Sequence, residues 1–314
     1  MPKRLTVTGA AGNLGALLSR HLLATTDRDL SLLIHRREVA PDLRASPRVR
    51  VVAGDLADTS TLLPALRGAD AVIHFAGVLF KGRPESFLPT TNTQYFINLC
   101  EAALQSGVKR VVLVSFPHVE GETTPESPAT GRLDGQPASM HAKTRLEEER
   151  YLFEWAKAAG VEAVSLRVGM VYGRGILMVD AARWLSRRGL LGVWKKPTWI
   201  HLIARDDFLQ AAANALTLGN IRGIYHVGDE GVQTLQDFLV CAARQWNTHS
   251  PRTMPVGLIM FAAQCCEWNS LLFGVKSPLT KDFIRIGMAS YYGDTTRMRA
   301  ELLPALKYPT LETG

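Results

Sequence analysis

Residues 4–15, Arg4-Leu5-Thr6-Val7-Thr8-Gly9-Ala10-Ala11-Gly12-Asn13-Leu14-Gly15, decide how the rest of the chain is read. They open with a short β run. They continue into a stretch over 14–24 whose apolar residues, Leu14, Leu17, Leu18, Leu22 and Leu23, recur at helical spacing. Between the two lies GxxGxxG, one residue longer in its first gap than GxGxxG. Gly9 permits a tight turn, Gly12 lets backbone approach a pyrophosphate, and Gly15 lets the helix pack closely on the strand. The helix N-terminus then offers unpaired N–H groups and a partial positive charge to phosphate oxygens. A glycine triplet alone is weak evidence; placed between a strand and a helix in the first βα unit, it predicts a dinucleotide-binding turn in which Ala11, Asn13 and Leu14 join the three glycines.

Working outward, β-like runs recur at 30–35, 49–53, 71–75, 109–115 and 161–168, with helical patterns at 93–105 and 140–159, the latter ending at Gly160. The run 109–115 (KRVVLVS) is apolar at consecutive positions, as in a strand buried on both faces of a parallel sheet. Repeated βα units predict an α/β fold with a doubly wound parallel sheet. Residues 116–139 read as an ordered loop. After Tyr172 the pattern loosens, with a late strand at 223–227. The expected division is a dinucleotide-binding part over 1–170 and a substrate-binding part over 171–314 that partly interleaves with the sheet and adds a small C-terminal cap.

The second strand ends His35-Arg36-Arg37, and Arg36 lies 21 residues after Gly15. An acidic residue near this point would bind a ribose 2′-OH, whereas an arginine suits a 2′-phosphate through its bidentate fork. The expected cofactor is therefore NADP. The bland alternative is that Arg36 and Arg37 are solvated strand-end charges. Asp55 and Leu56 follow the third strand, where the aspartate could reach an adenine amine. Phe75, Ala76 and Gly77 follow the fourth and leave room beside the pyrophosphate and ribose. Ser115 and Val168, at the ends of the next two strands, complete the expected cofactor set.

The 314 residues bury a substantial core without staples, and with 46% hydrophobic residues a disordered chain is excluded. A formal charge of +7 with only short basic pairs suits an anionic ligand or a solvated surface, and no nucleic-acid motif accompanies it. Cys100, Cys241, Cys265 and Cys266 form no CxxC pair, and no His/Glu/Asp cluster has metal-ligand spacing. Reduced thiols and Lys3-Arg4 followed at once by a polar β run lead to the expectation of a cytoplasmic protein with no metal. A homodimer and weak membrane-surface association stay open.

These stretches, taken in order, resemble the extended short-chain dehydrogenase/reductase family, the group of sugar-nucleotide epimerases, dehydratases and hydroxysteroid dehydrogenases. Further matches are Asn92-Thr93, Val111-Val112-Leu113-Val114-Ser115, Leu166-Arg167-Val168-Gly169-Met170-Val171-Tyr172-Gly173, Trp199-Ile200-His201 with Asp206-Asp207, and Tyr225-His226-Val227-Gly228. The resemblance covers nearly the whole chain and implies a Rossmann-type fold. It also implies a catalytic tyrosine followed four residues later by a lysine on the same helical face. No tyrosine here has a lysine four residues on. Lys143 fits the lysine position, with Ser139 four residues before it, and the catalytic Ser/Thr slot after the fifth strand falls on Phe116.

The expected catalytic set is thus Lys143, which is also expected to bind the cofactor by hydrogen-bonding the nicotinamide ribose and could act as general acid, with His118 at the carboxyl edge as a proton shuttle and Ser139 orienting a carbonyl or water. His141, about 200° around the helix from Lys143, is expected to face away. The leading function is NADP-dependent oxidation or reduction of a small, hydrophobic carbonyl or alkene. The alternative is a redox-inactive NADP-binding protein, or a non-redox isomerase or cyclase using the same pocket. For the substrate, Met260, Phe261, Trp268, Leu271 and Leu272 recur as one apolar face, with Trp184, Trp194 and Trp199 as an opposite wall. Packing on the domain or shallow membrane insertion would explain the same face. Arg174, Arg205 and Lys276 could instead serve a second pyrophosphate.

Overall fold

The computed structural model describes residues 4–78, 81–273 and 280–314, with side chains in 270–273 left undescribed. The first half alternates β1 (Arg4–Thr8), α1 (Asn13–Thr25), β2 (Asp29–Ile34), α2 (Pro41–Arg44), β3 (Val49–Ala53), α3 (Thr59–Leu66), β4 (Ala69–His74), α4 (Tyr95–Gln105), β5 (Arg110–Ser115), α5 (Met140–Ala159) and β6 (Glu162–Val168). The second half continues with β7 (Met170–Tyr172), α6 (Leu177–Arg187), β8 (Gly192–Val193), β9 (Trp199–Ile200), β10 (Leu202–Ala204), α7 (Arg205–Thr217), β11 (Gly223–Val227), β12 (Gln233–Thr234), α8 (Leu235–Gln245), β13 (Arg252–Thr253), α9 (Val256–Phe273) and α10 (Lys281–Met288).

Seven strands form one parallel sheet in the order β11-β6-β5-β4-β1-β2-β3. Strand order reverses between β1 and β4, which opens a crevice at their carboxyl ends. Apolar residues leave both faces of the sheet. On one, Leu18 and Leu22 of α1 and Phe208, Ala211 and Ala212 of α7 pack on β1, β2 and β6. On the other, Leu62 and Leu66 of α3, Phe96 and Leu99 of α4 and Leu152 of α5 pack on β4 and β5. Burying such side chains gives about 1.5–3 kcal/mol each, which is why these strands lack polar–apolar alternation.

Local chemistry sets the ends of the helices. The Asp58 carboxylate accepts the Ser60 amide and starts α3. Gly160, at φ +68°, ends α5 in the left-handed conformation that glycine adopts without strain. A third cluster, with Tyr172, Leu191, Trp194, Phe238, Ile259, Ala263 and Ile284, forms the C-terminal lobe.

Inside the sheet lies a charged network that hydrophobic patterning does not reveal. Arg167 of β6 is fully buried and pairs with Glu149 of α5 at 2.6 Å and with Glu120. Ser165 donates to Glu149 at 2.7 Å. Burial would raise the Glu120 carboxyl, but the nearby His226 ring, hydrogen bonds from the Gly131 and Thr130 amides and the charge of Arg167 hold it at about 2. Every charge here is compensated, the condition under which ion pairs survive burial. The network fixes α5 to the sheet.

Candidate active site

At the crevice, a cleft of about 360 Å³ is lined by Gly9, Ala11 and Gly12 of the first turn, by His35, Arg36 and Arg37 after β2, by Asp55 and Leu56 after β3, and by Phe75, Ala76 and Gly77 after β4. Gly9 sits at φ +68°, and a Cβ there would lie 2.9 Å from the Ala76 nitrogen, so the turn presses against the end of β4. A Cβ on Gly15 would lie 2.3 Å from the Gly9 oxygen, which is how α1 comes so close to its own turn. The cap of α1 is Gly12, with no side-chain hydrogen bond and no acidic residue in the first turn. Its amides and the positive end of its dipole therefore remain available to an anion, and the turn fits a pyrophosphate.

Thr8 and His74 lock the two strand ends together, with the Thr8 hydroxyl 2.9 Å from His74 Nδ1. Burial, with the charge of Arg145 adding, holds His74 near 3, so the ring stays neutral. The Asn13 side chain is engaged beside the cleft: its amide donates to the Gly175 carbonyl at 2.7 Å and its Oδ1 accepts from the Leu177 amide. The turn is thereby stapled to the start of α6. Leu14 packs on the core below the turn, and Val168 is buried at the end of β6. The Ser115 hydroxyl is buried without a partner among the described residues. Tyr95 of α4 also lines the cleft, a residue the sequence reading missed.

The helix beside the cleft has two different sides. Lys143, Glu147, Arg150 and Glu154 form its exposed stripe. His141, Thr144, Glu148 and Glu149 are buried. Arg145 reaches the cleft: it donates to the Ala76 carbonyl at 3.4 Å, and a Cβ on Gly77 would come within 2.8 Å of its guanidinium. It also pairs with Glu148 at 2.6 Å. Thr144 accepts from the Asn92 amide at 3.0 Å. His141 lies one turn before Arg145, its Nδ1 2.9 Å from Asp282 of α10. Ser139 is the N-cap of α5, its hydroxyl accepting the Ala142 amide at 3.2 Å.

The expected catalytic residues lie on or beside this helix and at the end of β5. His141 and Lys143 do lie on opposite sides, but it is Lys143 that turns to solvent, without a hydrogen bond or ion pair among the described residues. The hydroxyl of Ser139 is engaged in capping. His118 is also bound: its Nε2 donates to the Ala289 carbonyl at 3.0 Å, and its Nδ1 is enclosed without a partner. Burial lowers its pKa against the opposing effect of that carbonyl. A ring held neutral and sealed in this way is a poor proton shuttle.

A model of the NAD dependent epimerase/dehydratase family matches residues 5–209, more than half of the chain. The chain belongs to that family. Its members bind a nicotinamide cofactor and include dehydrogenases, epimerases and dehydratases. Among curated relatives, the uronate dehydrogenase of Pseudomonas putida is 27% identical over 69% of this chain and 75% of its own length. The UDP-glucose 4-epimerase of Thermus thermophilus, solved with NAD, superposes with a TM-score of 0.69 at 27% identity, covering 80% of this chain and 86% of that one. A dTDP-glucose 4,6-dehydratase of Streptomyces venezuelae, solved with NAD and TYD, has a TM-score of 0.75 at 22% identity, covering 98% and 92%, and shares the fold.

Within this epimerase/dehydratase fold, His141 and Arg145 stand four residues apart on the inward side of α5, so the helix reads His-x-x-x-Arg there. Beyond His141, the end of β5 is aromatic. Phe116 lies 5.2 Å from the His118 ring and 6.4 Å from the His141 ring, and His118 lies 5.6 Å from Tyr291. His201 stacks on Tyr292 at 4.0 Å and is held near 4, chiefly by burial, with both nitrogens engaged by backbone. It is structural.

Toward the C-terminal lobe, the expected apolar face divides. Ile259 and Ala263 pack inward, whereas Phe261 is 62% and Trp268 56% exposed. α9 carries apolar residues on every side, with Gln264, Glu267 and Asn269 scattered among them, so sequence spacing could not say which side was buried. Leu271, Leu272 and Phe273 lie among the undescribed side chains, and Lys276 lies outside the described residues. Trp194 is buried and donates to Thr198 at 2.8 Å, while Trp184 is exposed beneath Arg188. Arg205 is taken up by Asp206, at 2.7 Å, and by the Arg174 carbonyl. Among the described residues no His, Cys, Asp or Glu side chains gather as a metal site, and no helix is long and apolar enough to cross a membrane.

Proposed function

We propose that the chain is an oxidoreductase that prefers NADP(H) and acts on a small, largely apolar carbonyl or alkene. The observation that carries the cofactor reading is the ribose end of the cleft. Arg36 and Arg37 line it, both are exposed, and neither has a hydrogen bond or ion pair among the described residues. No acidic residue stands at the end of β2 to receive a ribose 2′-OH, and an unpaired guanidinium is suited to a 2′-phosphate. Bound there, the nicotinamide would give or accept a hydride. The uncapped turn of α1 would hold the pyrophosphate, Arg36 and Arg37 the 2′-phosphate, and Asp55 the adenine side, where its carboxylate lies 3.5 Å from His35. Arg145 would face the ribose or nicotinamide past Gly77.

The substrate reading rests on what lies beyond β5. Phe116 occupies the slot where a Ser or Thr hydroxyl is expected, and rings rather than free cations follow it. Arg205, a candidate for a second pyrophosphate, is already paired with Asp206. Both features favour an apolar carbonyl over a nucleotide sugar.

Fluorescence titration of the full chain with NADPH and NADH tests the cofactor reading, with tighter binding of NADPH expected and a strong loss for NADPH alone in Arg36→Asp. Equal affinities in the parent would overturn it. Thermal-shift screening of UDP-sugars against aromatic ketones, steroids and acyl compounds, with NADP present, tests the substrate. A response to a UDP-sugar alone would refute the apolar reading. Tight NADPH binding with no oxidation across a broad carbonyl and enone screen would leave the redox-inactive alternative.

A further inference from the structure

We propose that His141 is the acid–base residue of this chain and that Asp282, from the C-terminal lobe, positions it. The proposal rests on the oxidoreductase reading above. Its basis is the convergence of three elements. α5 presents Arg145 to the end of β4, at the Ala76 carbonyl and beside Gly77. One turn earlier, on the same side, it presents His141 beside Phe116, at the end of β5. α10 then brings Asp282 against the outer nitrogen of the ring, 2.9 Å from Nδ1.

The chemistry follows from hydrogen-bond inventory. An ionised carboxylate only accepts, so the neutral ring carries its proton on Nδ1 and leaves a lone pair on Nε2. That nitrogen has no hydrogen-bond partner among the described residues, and the side chain keeps 11% of its exposure, so the ring is not sealed. An arginine retains its proton, so Arg145 can orient groups but cannot shuttle. Four other groups near this edge are engaged elsewhere or turned away. His74 bonds Thr8 and its other nitrogen is buried, His118 bonds Ala289, Ser139 caps α5, and Lys143 faces outward.

Asp282 is itself well held. The Thr280 hydroxyl accepts the Phe283 amide at the start of α10, and the Lys281 amide donates to Glu267 of α9 at 2.8 Å. A bound dihydronicotinamide would supply the hydride, two electrons and a hydrogen, to the carbonyl carbon; in the reducing direction His141 would give the Nε2 proton of its imidazolium to the carbonyl oxygen. The products are an alcohol, oxidised NADP and a neutral ring that solvent reprotonates. In the oxidising direction, neutral Nε2 takes the hydroxyl proton as the hydride leaves carbon.

The test combines a ring readout with turnover. Full-length protein labelled with ¹⁵N-histidine is examined by long-range ¹H–¹⁵N correlation at pH 8, with the His141 signals identified by their loss in His141→Gln. The expected parent spectrum shows the Nδ1-protonated tautomer. Asp282→Ala should convert it to the Nε2-protonated form that imidazole favours in water, and Asp282→Asn, which keeps an acceptor oxygen, should retain it. With NADPH and 4-nitrobenzaldehyde as the probe carbonyl, His141→Gln should lower kcat by about 10²–10⁴-fold while leaving NADPH affinity unchanged. Asp282→Ala should lower kcat less, with partial rescue in Asp282→Asn. A parent that binds NADPH but shows an Nε2-protonated His141, or a His141→Gln enzyme as fast as the parent, overturns the dyad alone. A parent that binds neither nicotinamide dinucleotide overturns the cofactor reading, and the acid–base role with it.

Discussion

Two basic residues two positions apart on α5 should behave in opposite ways when removed. Arg145 is the only hydrogen-bond partner of the Glu148 side chain among the described residues: that side chain is fully buried, one oxygen accepts from Arg145 at 2.6 Å, and the other has no partner. Arg145→Ala leaves a carboxylate in the interior with no counter-charge, a change that costs about 3–5 kcal/mol. At ~2 cal/mol/K per residue of unfolding entropy, that is a fall in Tm of roughly 5–8 °C for a chain of this length. Lys143→Ala removes an exposed side chain without partners and should stay within about 0.5 kcal/mol. The Arg145→Ala loss should also depend on pH. Burial already raises the Glu148 carboxyl, with Arg145 opposing and Glu149 and Glu147 adding. Without Arg145 it rises further above its unfolded value. The folded state then binds more protons than the unfolded one, and stability falls as pH rises. Thermal unfolding at pH 5 and pH 8 measures both effects. Equal shifts for the two variants, or an Arg145→Ala deficit no larger at pH 8 than at pH 5, would refute this account of the helix.

Gly9→Ala should weaken NADPH binding at least tenfold and lower Tm, because its left-handed backbone and the 2.9 Å approach to Ala76 leave no room for a methyl group; fluorescence titration measures it, and unchanged affinity would remove the close approach from the argument. Asp229 is raised to about 7, first by burial and then by the charges of Asp207, Glu230 and Glu312, against the Gly231 amide. A carboxyl raised in the folded state loses stability as pH climbs from its unfolded value through about 7. Asp229→Asn, which keeps an acceptor for Gly231, should therefore match the parent in Tm near pH 4 and exceed it at pH 8. A constant difference across that range would count against the shift.

The sheet was legible because its strands obey simple rules. Val111, Val112 and Leu113 are apolar in succession and lie between two layers of helices, and the glycine turn stands where the β1–α1 unit requires it. The inward side of α5 was not legible, and for a physical reason. It carries His141, Arg145, Glu148 and Glu149, which any hydrophobicity rule assigns to solvent. For two of them the compensating partner is far away in sequence: Arg167 on β6 for Glu149, and Asp282 on α10 for His141. The one available signal was Glu149. It lies four residues after Arg145, and its pairing with the arginine of Leu166-Arg167 sets which side of α5 faces the sheet. α9 failed in the opposite way, since a helix with apolar residues on every side offers no pattern from which to read its buried face.

The seventh strand arrives late. β6 ends at Val168, and its outer neighbour β11 begins only at Gly223, about 55 residues further on. At the ~5–20 residues per second of translation, a growing chain carries β6 with an unpaired edge for about 3–11 s. An open parallel edge is a template for other strands. This edge also borders the Arg167–Glu120 pair, which His226 of β11 approaches at 3.6 Å once the strand is in place. Protein cut after residue 170, or stalled on the ribosome between the two strands, should therefore be a client for chaperones rather than a soluble nucleotide-binding fragment. Codon changes that slow synthesis across 169–222 should reduce the yield of folded protein without altering a single side chain.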